Sequence, residues 1–175
     1  MFNHCVKIGT KFCTGMLLGL SSLLNVQAAD MQHLYLVRHA EKADQSKDPV
    51  LSACGQAQAS ALATLLQNVN LSQLYHSGYQ RTLQTATASL KTGRQLQQYD
   101  ANNLPALAAQ LHKSTANALV VGHSNTTPQL ATLLSQLAAP ALNEHDYGRI
   151  YQLTRADEAW SLQILQLPLP ALCQR

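Results

Sequence analysis

The sequence predicts a single-domain three-layer α/β sandwich, a mainly parallel sheet with helices on both faces. Two observations predict it. Short apolar runs alternate with stretches whose apolar residues recur at helical spacing, and strict alternation of strand and helix implies parallel strands joined by crossovers. Three of the runs are followed at once by Arg, His or Ser, where an open α/β sheet binds its ligands.

The elements follow in order. The run 32–38 is apolar at Leu34, Leu36 and Val37 and reads as a buried strand. A polar loop from Lys42 to Pro49 leads to a helix opened at Leu51-Ser52, with Ser52 as N-cap. Ala59, Leu62, Ala63 and Leu66 would share its inner face. A strand at about 72–76 comes next, then a helix with Leu83, Ala86, Thr87 and Leu90 inside, then a short strand at 95–99. Leu104, Leu107, Ala108 and Leu111 mark a third helix, and 118–121 is the most apolar strand. Leu130, Leu133, Leu134 and Leu137 mark a fourth helix, with Thr127 as cap and Pro128 at its first position. Two strands, 150–153 and 160–167, close the chain; Trp160 reads as packing.

Composition bounds the rest. The chain has 175 residues, 46% of them apolar and 12% charged, which suits one globular domain and argues against disorder. Residues 1–28 read as a secretory signal peptide, with Lys7 and Lys11 ahead of the apolar stretch Met16 to Val26 and a small-residue cleavage site at Val26-Gln27-Ala28. That apolar stretch is shorter than the roughly 20 residues needed to span a bilayer, so no stable membrane insertion is expected after cleavage. The domain is then 29–175, periplasmic or secreted. The formal charge of +3 falls when Lys7 and Lys11 leave, to ten basic residues against nine acidic. Nothing in that balance suggests nucleic acid as a partner. Cys54 and Cys173 remain, free to pair in an oxidising compartment or to stay separate buried thiols. His33, His76, His112 and His145 lack paired spacing, so neither metal nor other cofactor is expected.

Chemistry gathers in three stretches: Leu36-Val37-Arg38-His39-Ala40, Ser77-Gly78-Tyr79-Gln80-Arg81-Thr82-Leu83-Gln84-Thr85-Ala86, and Val121-Gly122-His123-Ser124. Arg38 and Arg81 suit bidentate binding of phosphate oxygens. A neutral His39 can attack phosphorus without a separate base and give a phosphohistidine. His123, protonated beside the phosphate, would add a donor where negative charge builds. The Ser124 amide, after a strand and before a helix, would favour an anion.

In order and context these stretches resemble the histidine phosphatase superfamily, the phosphoglycerate mutase-like group (branch 1). Its marks are an Arg-His-Gly or Arg-His-Ala box, a Ser-x-x-x-Arg-x-x-x-Thr-Ala box and a later Gly-His. The resemblance spans nearly the whole chain after residue 30 and implies the same four roles for Arg38, His39, Arg81 and His123. It also implies a carboxylate acid after the strand that follows the second box, which points to Asp100. Many relatives carry Glu there. Glu41, Glu144, Asp146 and water are the alternatives, and Asp100 also reads as a helix N-cap. His76, Tyr79, His145, Tyr147 and Arg149 would line the pocket rim or stand as ordinary surface.

The expected function is a metal-independent phosphatase acting on a small phosphorylated substrate through phosphohistidine. The alternatives are a phosphate- or phosphoester-binding module without turnover, a mutase, and a surface interaction protein on the same fold.

Overall fold

The computed structural model describes residues 31–173; the expected signal segment 1–28 and its expected cleavage site lie outside the described residues. The elements run β1 (Gln32–Arg38), α1 (Ala53–Leu65), β2 (Leu71–His76), α2 (Gln80–Thr87), β3 (Gln95–Gln98), α3 (Leu104–Lys113), β4 (Asn117–Gly122), α4 (Thr126–Ser135), β5 (Arg149–Ala156), β6 (Ala159–Gln166) and a 3₁₀ turn, Ala171–Cys173. They form one sheet in the order β3-β2-β4-β1-β5-β6. The first four strands in that order are parallel, whereas β5 pairs antiparallel with β1 and β6 antiparallel with β5. This is the expected class, an α/β domain with a mixed, mostly parallel sheet.

Alternate residues of each strand feed opposite cores, because successive side chains point to opposite faces. Leu34 and Leu36 pack with Leu104, Leu107 and Leu111 of α3 and Leu130 and Leu134 of α4. Tyr35 and Val37 pack with Leu62 and Leu66 on the α1 side and Ala86 of α2. Strands buried on both faces read as continuous apolar runs, which is why β1 and β4 stand out in the sequence.

Ser52 caps α1 as expected, accepting a 2.9 Å bond from the Gly55 amide. All four α3 positions are buried. Two helices turn differently. In α2 the buried residues are Thr82, Thr85 and Ala86, while Leu90 lies beyond the helix and is exposed. Threonines take the inner face because each hydroxyl bonds a backbone carbonyl, Thr82 to Tyr79 and Thr85 to Arg81. In α4 the cap is Asn125, not Thr127, and Leu133 and Leu137 are exposed. Thr127 instead donates to the Val37 carbonyl at 3.2 Å, tying the start of α4 to β1.

Cys54 and Cys173 are joined, with Cα atoms 5.1 Å apart and a sequence separation of 119. Closing so long a loop constrains the unfolded chain, so Cys173→Ser is expected to cost about 2–5 kcal/mol. Urea unfolding of both proteins, with and without reductant, measures it. Superimposable curves would show that the bond contributes nothing to stability.

Candidate active site

The carboxyl ends of β1, β2 and β4 lie on one edge, because these strands are parallel and in register from Val37↔Val121 to Arg38↔Gly122. That edge carries His39, Ser77 and His123, each one residue past its strand. β5 runs the other way, so the loop before it, residues 136–148, returns over the same edge.

His39 is 4% exposed. Its Nδ1 lies 2.8 Å from the Ala40 carbonyl oxygen, which only accepts. The proton therefore sits on Nδ1, and Nε2 keeps its lone pair. Burial drives the imidazole pKa down to about 3, with help from the neighbouring Arg38, His123 and Arg81 charges. His39 is thus neutral across the physiological range, as a nitrogen nucleophile requires.

His123 stands beside it, the ring centroids 5.4 Å apart. Arg81 Nη2, a donor only, approaches its Nδ1 at 3.5 Å, which leaves the proton on Nε2 for the Ser77 hydroxyl at 2.7 Å. Ser77 in turn donates to Thr82 at 3.2 Å. Burial first, then Arg81 and Arg38, lower the His123 pKa to about 4. A bound phosphate dianion would oppose those cations and favour the protonated ring.

The guanidinium groups are held over aromatic faces: Arg38 lies 4.6 Å from the Tyr147 ring centre and Arg81 lies 4.3 Å from that of Tyr79. Arg38 Nε and Arg81 Nη1 are buried and bond nothing among the described residues. Buried charged donors left unmet are costly, and an anion would satisfy them. Arg38 Nη1 donates to the Asn143 carbonyl at 3.0 Å and Nη2 to Glu144 at 2.9 Å. Asp48 lies 3.8 Å from Arg81.

Close backbone packing holds the pieces together. The Ala40 amide donates to Thr85 at 3.0 Å, so the Thr of the second box fixes the backbone beside His39. A Cβ on Gly122 would stand 2.9 Å from the Thr126 and Thr127 hydroxyls, and one on Gly55 would stand 2.0 Å from the Glu41 carbonyl. Only glycine permits either approach.

The structure thus brings Arg38, His39, Arg81 and His123 together. Asp100 lies in the open cleft that Arg81, His123, Tyr79 and Ser77 also line. It is exposed, and its carboxylate accepts from the Asn102 amide at 2.9 Å. The N-cap of α3 is Asn103, so the helix-cap reading of Asp100 is corrected. The alternative carboxylates have other partners: Glu41 accepts from Ser52 at 2.9 Å, and Asp146 accepts from the Asn143 amide at 2.9 Å. The Ser124 hydroxyl donates to Glu144. Tyr79 and Tyr147 take rim positions. Arg149 turns away to the Ala141 carbonyl at 3.0 Å. Ser77, Thr85 and the Arg38–Glu144 contact were not foreseen; the Ser and Thr of the second box were the available signal.

Fold and site define a class: a three-layer α/β domain with two histidines and two arginines at the carboxyl edge of its parallel strands. Residues 34–104 match the model of the histidine phosphatase superfamily (branch 1). The fold is that of solved phosphatases and mutases at low identity. The protein histidine phosphatase SixA complexed with tungstate is similar at TM-score 0.64 and 17% identity, covering 77% of this chain and 97% of that one. The mycobacterial glucosyl-3-phosphoglycerate phosphatase follows at 0.63 and 16%, covering 79% and 100%. Phosphoglycerate mutase from Bacillus anthracis gives 0.64 and 14%, covering 78% and 93%. No curated protein matches the chain.

Proposed function

We propose that this chain is a branch 1 histidine phosphatase that hydrolyses a phosphomonoester or phosphoramidate through phosphohistidine at His39. The observation that carries this is a neutral, buried imidazole set among buried guanidinium nitrogens that make no hydrogen bond among the described residues. Such donors stabilise charge on a transferring phosphoryl group without reorganising.

In the first step His39 Nε2 attacks phosphorus, the N–P bond forms and the bond to the leaving oxygen or nitrogen breaks. Asp100 supplies the leaving group's proton. In the second step the Asp100 carboxylate takes a proton from water as it attacks phosphorus, the N–P bond breaks with its electron pair returning to Nε2, and inorganic phosphate leaves with His39 neutral and Asp100 protonated again. Arg38, Arg81 and His123 hold the equatorial oxygens throughout.

The test is to mix residues 29–175 with p-nitrophenyl phosphate, quench rapidly and map phosphate by mass spectrometry. An acid-labile adduct on His39 with steady nitrophenol release is expected. A folded protein that binds phosphate with no adduct and no turnover would support the second reading, a phosphate-binding module, which the exposed, backbone-bonded Asp100 favours. Asp100→Asn is expected to slow alkyl phosphates about 100-fold and leave p-nitrophenyl phosphate little changed, because only poor leaving groups need a proton. Equal rates on both substrates would remove Asp100 from the mechanism.

The same reading makes the protein periplasmic or secreted, cleaved after Ala28. The Cys54–Cys173 bond supports this, since structural disulfides persist in oxidising compartments.

A further inference from the structure

We infer that Glu144 is an intramolecular anion that occupies the phosphate donors of the free protein and must leave before a phosphoryl group binds. The inference rests on the proposed reading of Arg38 as a phosphate ligand and adds the group that competes for it.

The two oxygens of the Glu144 carboxylate bridge the Arg38 guanidinium and the Ser124 hydroxyl. Oε2 accepts from Arg38 Nη2 at 2.9 Å, and Oε1 accepts from the Ser124 hydroxyl. A phosphate presents oxygens with the same bidentate geometry to guanidinium. Carboxylate and phosphate therefore cannot both hold these atoms.

The pair is lopsided. The Arg38 side chain is 2% exposed and that of Glu144 is 67% exposed. Arg38 is fixed by the Asn143 carbonyl and by the Tyr147 ring, so it stays in place. Glu144 can rotate outward without disturbing a packed core. An open cleft lies on its outer side, lined by Lys42, His145 and Tyr147 and also by Glu41 and Asp44. Lys42 already exerts a favourable field on the carboxylate. It offers the displaced group a countercharge.

The loop bearing Glu144 is itself braced. Asp146 accepts from the Asn143 amide, Arg149 donates to the Ala141 carbonyl, and Tyr151 donates to the Pro140 carbonyl. The motion required is thus of one side chain, not of the loop. The device sets a threshold. A doubly charged phosphoryl group outcompetes one carboxylate, whereas a singly charged anion gains little by replacing it.

The test is titration of the wild-type protein, Glu144→Gln, Glu144→Ala and Arg38→Ala with inorganic phosphate in a calorimeter at pH 7.5. Removing a competing, half-exposed ion pair is expected to tighten phosphate binding about three- to tenfold in both Glu144 variants. In Glu144→Ala, added acetate should compete with phosphate more strongly than in the wild type. Unchanged or weaker phosphate binding in both Glu144 variants would overturn the inference, and weaker binding would make Glu144 a residue that positions Arg38. The two readings fail separately. Phosphate binding that responds to Glu144 while His39 forms no adduct would sink the phosphatase and keep the competitor. No phosphate binding to any variant would overturn both.

Discussion

Replacing His39 with Asn will remove the covalent adduct and lower kcat by about 10⁴-fold or more, the scale seen when a catalytic nucleophile is lost. Asn fills nearly the same space, and its amide can still donate to the Ala40 carbonyl that now receives His39 Nδ1–H. The guanidinium groups keep their own supports, the Tyr147 and Tyr79 rings. The variant should therefore fold and bind inorganic phosphate, and lose only the nitrogen that attacks. Rapid-quench mass spectrometry and steady-state rates measured on one preparation check both halves. Turnover above a tenth of the wild-type rate, with phosphate still released, would mean that water attacks phosphorus directly and His39 is not the nucleophile.

Acid will destabilise the folded domain more than its few carboxylates would suggest. An unfolded histidine takes up a proton near pH 6.5, whereas native His39 resists it down to about 3 and His123 to about 4. Between those limits the unfolded state binds more protons than the native one, so unfolding free energy falls as pH falls. The contribution of a neutral, buried histidine is fully present above pH 6.5 and is lost progressively below it. At pH 4.5, His39 alone should cost about 2–3 kcal/mol relative to pH 7. Urea unfolding at the two pH values measures the drop. His39→Asn has no proton to gain, so its drop should be smaller by that amount. Equal drops in the two proteins would show that His39 titrates normally in the native state.

Local rules reached far in this chain because most elements obey them. In α3, Leu104, Leu107, Ala108 and Leu111 repeat at helical spacing and are all buried. In β1 an apolar run ends in Arg38 and His39, and the sheet delivers them to its carboxyl edge. Where polar residues do the packing, the same rules misled. Thr82 and Thr85 face inward because their hydroxyls find backbone oxygens, and apolar periodicity cannot see such a face. The partner of Arg38 lies 106 residues away in a loop with no pattern of its own. Glu144 reaches the site only because β5 enters the sheet antiparallel beside β1, a fact of topology with no local signature. The pairing of Cys54 with Cys173 was open for the same reason: spacing does not say which ends of a fold meet.

The central place of β1 bears on how the protein comes into being. Leu34 pairs with Ala118 on one side and Leu153 on the other, partners 84 and 119 positions later. A chain made from its amino end thus carries this apolar strand with both edges bare until nearly all of the rest exists. Such distant pairings close slowly and leave a strand open to wrong partners meanwhile. They also tie assembly of the site to completion of the chain. His39 is anchored by its amide to the Gly122 carbonyl at the end of β4, and Arg38 is held by the loop leading into β5. No shorter intermediate assembles the cluster, so its four residues meet only when the sheet closes around its oldest strand.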